Sequence, residues 1–167
     1  QFISALNDAL TRRVLQLNLD NHRFDGIEWA WLAFGSEGRD EQTFSTDQDN
    51  GIVFVPPEGA DVAELKQRFL AYALDVNKDL DRCGFPLCKG NIMASNPQWC
   101  LTLEEWKDQF ARWIRVPHPD ALLNASISFD FRPLYGQAEL AEALRRHLLA
   151  LTAATPVFLR AMAKNAL

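Results

Sequence analysis

The sequence predicts an α/β domain of the α+β kind: a small mixed sheet flanked by helices. Three observations carry this. Short aromatic and β-branched runs closed by glycine or proline occur at residues 28–35 and 51–55, as strands require. Longer stretches place apolar residues three and four apart, as helices require. The chain has 167 residues, 48% of them apolar, with eleven Phe and five Trp, enough to bury one core without disulfides or structural metal.

The elements follow in order. "ISALNDALTRRVLQLNL" places Ile3, Leu6, Leu10, Val14, Leu15 and Leu17 near helical spacing and reads as an amphipathic helix. "EWAWLAFG", residues 28–35, is short, aromatic and closed by glycine, a buried strand. "GIVFV", residues 51–55, is a second strand, stopped by Pro56, Pro57 and Gly59. Residues 61–82 carry Val62, Leu65, Phe69, Leu70, Ala73, Leu74, Val76 and Leu80 among charges, a long helix broken by "CGFPLCKGN". "IMA" is a candidate short strand. Thr102 and Glu105 form a capping-box signature opening a helix to about Arg115, ended by Pro117 and Pro119. "ASISFDFRPL" reads as a strand with Ile127, Phe129 and Phe131 on one face and Ser128, Asp130 and Arg132 on the other. Helical stretches from Gln137 and from Pro156 close the chain.

This gives one domain over 1–167: an N-terminal helix in 1–24, a sheet core in 25–135 and C-terminal helices in 136–167. The chain opens without Met inside a helix, which reads as a fragment of a longer protein.

Net charge is −5, so the molecule as a whole offers no electrostatic footprint for duplex nucleic acid. An anionic ligand held through a cation fits better. Cys83, Cys88 and Cys100 are an odd number with no secretory leader, and read as reduced core thiols in a cytoplasmic protein. No His or Cys spacing suggests zinc, and no apolar run reaches the ~20 residues that cross a bilayer. Trp99, Trp106, Phe110 and Trp113 fall near helical spacing. They read as core, with a partner-binding surface as the alternative.

The stretch "FGSEGRDEQTFSTDQDNGIVF", residues 34–54, sets fifteen largely polar residues between the two strands. Asp47 and Asp49 are one residue apart, so at the start of an extended segment both carboxylates project from one face and repel. Keeping both ionised calls for a cation, and hard oxygen ligands suit Mg2+ or Mn2+. Taken alone, a D-x-D is more simply a solvated turn. Here, however, Gly35 and Ser36 end the preceding strand, where backbone amides and a hydroxyl can meet an anion. Arg39 follows, and a guanidinium there can grip phosphate in a fork.

Gly35-Ser36, ten residues, then Asp47-x-Asp49 resembles the signature of the DNA polymerase beta-like nucleotidyltransferase superfamily. With "CKGNIMASNPQW" and "FDFRPLYG" added, the chain looks most like the nucleotidyltransferase domain found in bacterial signalling proteins beside CBS or cyclic-nucleotide-binding domains. That branch is similar to the protein uridylyltransferases and glutamine-synthetase adenylyltransferases. The resemblance runs from the first helix to about Leu144.

It implies metal ligation by Asp47, Asp49 and Asp130, the last being the candidate third carboxylate. It implies phosphate binding by Gly35, Ser36 and Arg39, with Lys89 and Asn91 of the "CKGN" turn near the nucleotide. The implied reaction moves a nucleoside monophosphate from an NTP to a hydroxyl, with a protein as one class of acceptor, by a two-metal mechanism in which Asp130 also takes the proton. The alternative is a module that binds a nucleotide in the same pocket and reports it to neighbouring domains without transfer. An acid paired with Arg132 or a neighbouring basic group is the plain alternative for Asp130. The chain departs from the superfamily in carrying Gln48 and Asn50 where apolar residues usually follow each aspartate.

Overall fold

A computed structural model describes residues 2–35, 47–116 and 118–156, with positions 160 and 164. The elements in chain order are α1 (Phe2–Asn18), β1 (Glu28–Phe34), β2 (Asn50–Val55), α2 (Val62–Arg82), β3 (Cys100–Thr102), α3 (Leu103–Arg115), α4 (Pro119–Ser128), β4 (Phe131–Gly136) and α5 (Ala138–Ala153). The sheet order is β3-β2-β1-β4. β1 pairs antiparallel with β2 and β4, while β2 and β3 run parallel. The α/β class with one small mixed sheet is as the sequence predicts.

β1 lies between two strands and has a helical layer on each face, which explains its unbroken apolar run. Trp29 and Trp31 face Val14 and Leu15 of α1 and Phe69, Tyr72 and Val76 of α2. Ala30, Leu32 and Phe34 face Trp106 and Phe110 of α3 and Leu140 and Leu144 of α5. Each buried aromatic of this kind removes some 150–250 Å² from water, so the two layers carry most of the core. Trp99, Trp106, Phe110 and Trp113 are all buried; they belong to this core, and the partner-surface alternative is excluded.

The helix starts follow local chemistry. Asp61 accepts from Glu64 N–H at 3.1 Å at the start of α2, and the Thr102–Glu105 capping box opens α3 as expected. Gly136 has φ +90, and a Cβ there would lie 2.2 Å from Trp29 O, so only glycine lets β4 end against β1.

Four expectations are corrected. α1 is helical, but its buried face is Ser4, Asn7, Asp8, Thr11, Val14, Leu15 and Asn18, while Leu6, Leu10 and Leu17 are exposed. The partners decide this: Arg132 of β4 grips both Asp8 oxygens at 2.7 and 2.8 Å, and Asn18 donates to Asp79 of α2 at 2.9 Å. "IMA" is not a strand; the third strand is Cys100–Thr102. "ASIS" belongs to α4, which Pro119 opens with His118 as its cap and Phe129 closes, so β4 starts only at Phe131 and Asp130 precedes it. Of the cysteines, Cys100 alone is a core thiol; Cys83 is exposed and Cys88 half-buried. The helix expected from Pro156 falls largely outside the described residues.

Candidate functional site

β2 sets the site. Phe34 N–H donates to Asp49 O at 2.9 Å, extending the β1–β2 ladder one step past Asn50, so residue 49 is held as strand although it precedes β2. On its other side, Gln48 N–H donates to Pro86 O at 2.9 Å and Asn50 N–H to Ile92 O at 3.1 Å. The segment 86–92 is therefore pinned at both ends alongside residues 48–50. Asp49 faces the middle of that arc, where the Cys88 thiol donates to Oδ1 at 3.2 Å.

Burial pushes the Asp49 carboxyl above its ordinary range, the Cys88 hydrogen bond pulls it back, and the negative charge of Asp47 raises it again. Asp47 itself is exposed. The two aspartates thus sense each other across Gln48, whose side chain is fully buried on the opposite side. Gly35 closes the arrangement: its φ is +61, and a Cβ on it would stand 3.4 Å from Asp49 Oδ2.

This donor set fits a hard divalent cation. A part-desolvated carboxylate beside a second carboxylate lacks positive charge, and carboxylate oxygens are the ligands Mg2+ and Mn2+ prefer. Asp130 is exposed and immediately precedes β4, whose first residue, Phe131, pairs with Phe34; it stands at the same end of the sheet as Gly35 and Asp49. Among the described residues, however, no three His, Cys, Asp or Glu side chains group so as to hold a metal ion. The structure brings together Gly35, Asp47 and Asp49, and sets Asp130 just ahead of the neighbouring strand β4. Arg132, which follows Asp130 by two residues, grips Asp8. Lys89 is exposed in the turn next to Cys88, and Asn91 of that turn has φ +57. Ser36 and Arg39 lie outside the described residues.

Sequence reasoning missed Asn77, Gln48, Asn50 and Cys88 as parts of the site. Gln48 and Asn50 were visible as polar residues at positions where a central strand is normally apolar. Asn77 was visible as an amide on the apolar face of α2. A cavity of about 690 Å³ lined by His22, Arg23, Trp29, Tyr135 and Gln137 opens at the opposite end of the sheet. Two of its polar groups are already engaged, His22 with Asp75 at 2.7 Å and Gln137 with Trp29 N–H at 2.9 Å.

A four-stranded mixed sheet with helices on both faces, and an acidic pair at the head of an inner strand beside a glycine turn, is a nucleotidyltransferase-like fold. The family model described as "Putative nucleotidyltransferase DUF294" matches residues 1–120, and the chain belongs to that family. The match includes Gly35, Asp47, Asp49 and the 86–92 arc, and ends before Asp130. No curated protein matches the chain.

Proposed function

We propose that the domain transfers a nucleoside monophosphate from an NTP to a hydroxyl, with Asp47 and Asp49 holding Mg2+ or Mn2+ against the nucleotide phosphates. The observation that carries this is the part-buried Asp49 carboxylate, set beside Asp47 and next to Gly35. A divalent cation bound there supplies neutralisation of the phosphate oxygens and of the leaving pyrophosphate. The phosphate is assigned to the place beside Gly35 and Asp49, with Ser36, Arg39 and Lys89 on its other oxygens. In the reaction the acceptor oxygen forms a bond to the α-phosphorus, the bond from that phosphorus to the bridging oxygen breaks, and pyrophosphate leaves with the electron pair. Asp130, at the same end of the sheet, is assigned to the acceptor side, where a carboxylate takes the hydroxyl proton.

A protein hydroxyl is the acceptor class we favour, in a longer signalling protein that also carries CBS or cyclic-nucleotide-binding domains. The free thiols of Cys83, Cys88 and Cys100 favour a cytoplasmic setting. No described helix is long and apolar enough to cross a membrane.

A second reading, nucleotide binding without transfer, is favoured by one observation: no third carboxylate groups with Asp47 and Asp49 among the described residues. Incubation with NTPs labelled at the α-phosphate, Mg2+ or Mn2+ and candidate acceptor proteins separates the two. Label transfer with pyrophosphate release supports the enzyme, and saturable binding alone supports the sensor. Absence of both removes the nucleotide site altogether.

A further inference from the structure

We propose that Asn77, in the middle of α2, is the positioning residue of the Asp47–Asp49 pair, an inference that rests on reading that pair as a cation site. Asn77 is 1% exposed and sits on the face of α2 where Phe69, Ala73 and Leu80 are buried. A leucine there would favour the helix more and would not require burial of an amide. The amide is instead fully used. Ser95 N–H donates to Asn77 Oδ1 at 3.1 Å, which turns Nδ2 toward β2. From there Nδ2 donates to Gln48 Oε1 at 2.8 Å and to Asn50 Oδ1 at 3.1 Å.

The polarity of the network is fixed by the backbone. Gln48 Nε2 donates to Asn77 O and Phe85 O, both at 2.9 Å, so its Oε1 must point at Asn77. Asn50 Oδ1 accepts from Ala94 N–H at 2.8 Å, so it too must present oxygen. Flipping any of the three amides would set donor against donor or oxygen against oxygen. No buried side-chain nitrogen or oxygen among the described residues lacks a partner.

The consequence is geometric. Along an extended chain successive side chains alternate between faces. With residues 48 and 50 drawn to α2, residue 49 projects to the other face, and Asn77 thereby aims a carboxylate that it does not touch. Through Ser95 the same amide also holds the segment that follows the Lys89 turn. The network gives the polar Gln48 and Asn50, out of keeping with the superfamily pattern, a physical role.

The test is Mn2+ alone, titrated into the full chain, with free Mn2+ read by electron paramagnetic resonance. Wild type should bind, and Asp49→Asn should not. Asn77→Ala should weaken binding by about tenfold, the low end of what loss of a group bonded to a ligand costs, since Asn77 acts one step further out. Tyr72→Phe is the control: Tyr72 shares α2 with Asn77, but its buried hydrogen bond to Leu15 O of α1 lies outside the network, and the variant should stay within about twofold. Gln48→Met, nearly isosteric, should repeat the loss and carries the test where Asn77→Ala does not fold. The double variant should be no weaker than the weaker single, because the two amides act as one unit. A folded Asn77→Ala that binds like wild type overturns the positioning role and leaves the acidic pair standing. Wild type that binds no more than Asp49→Asn removes the cation site, and this proposal with it.

Discussion

The Cys88 thiol donates to Asp49 Oδ1 at 3.2 Å, while Gly35 stands beside Oδ2, where a Cβ would lie 3.4 Å from that oxygen. One oxygen of the carboxylate is thus held by the protein, and the other lies next to Gly35. The arrangement costs stability, since burial and Asp47 both disfavour the charged form and the thiol only partly offsets them.

Asp49→Asn should therefore stabilise the cation-free protein at neutral pH while abolishing cation binding. The folded carboxyl titrates above its ordinary 3.8, so the stability associated with this residue is full below that value and is lost as pH rises through the raised one. Melting temperatures of both proteins from about pH 3 to about pH 8 check this. The variant should lead at neutral pH, with the lead closing on acidification; a lead that is reversed or independent of pH would contradict it.

Gly35→Ala should cost about 1–2 kcal/mol of stability from its left-handed backbone. It should weaken Mg2+-dependent nucleotide binding by more than that loss explains, because the methyl group stands against Asp49 Oδ2. Denaturant unfolding and calorimetric titration, run on the same sample, separate the two effects. Equal nucleotide affinity in a folded variant would show that phosphate does not use this space.

The three thiols should label in a fixed order with iodoacetamide: Cys83 first, Cys88 later, Cys100 only on unfolding. Cys83 is exposed, burial raises the Cys88 thiol, and burial pushes Cys100 up to about 12. Timed labelling followed by peptide mass spectrometry reads this order. Early modification of Cys100 would mean that β3 opens easily.

Asp8→Ala should destabilise the fold by about 1–3 kcal/mol, since it removes both of its hydrogen bonds with the part-buried Arg132 guanidinium. Leu10→Ala, on the exposed side of α1, should cost well under 1 kcal/mol. Chemical denaturation compares them. The opposite ranking would restore the apolar face that hydrophobicity alone suggests.

Where a residue's neighbours in sequence set its environment, the sequence was legible. The runs at 28–35 and 51–55, the α2 periodicity and the Thr102–Glu105 box all rest on local patterns, and all are found. The face of α1 was not legible, because the charge that buries Asp8 comes from residue 132. Asp130 was placed on a strand because a five-residue alternation cannot be told from the end of a helix. The acidic pair was visible as a motif, yet its support was not: Asn77 and Cys88 reach it only through the packing of α2 and the 86–92 arc.

Calorimetric titration of a non-hydrolysable NTP, with and without Mg2+, into wild type and Asp49→Asn tests most directly whether the acidic pair holds a cation against phosphate. Saturable binding that requires Mg2+ and disappears in the variant is the expected result. Binding indifferent to Mg2+, or retained in Asp49→Asn, would place the nucleotide elsewhere and leave the acidic pair without its assigned role.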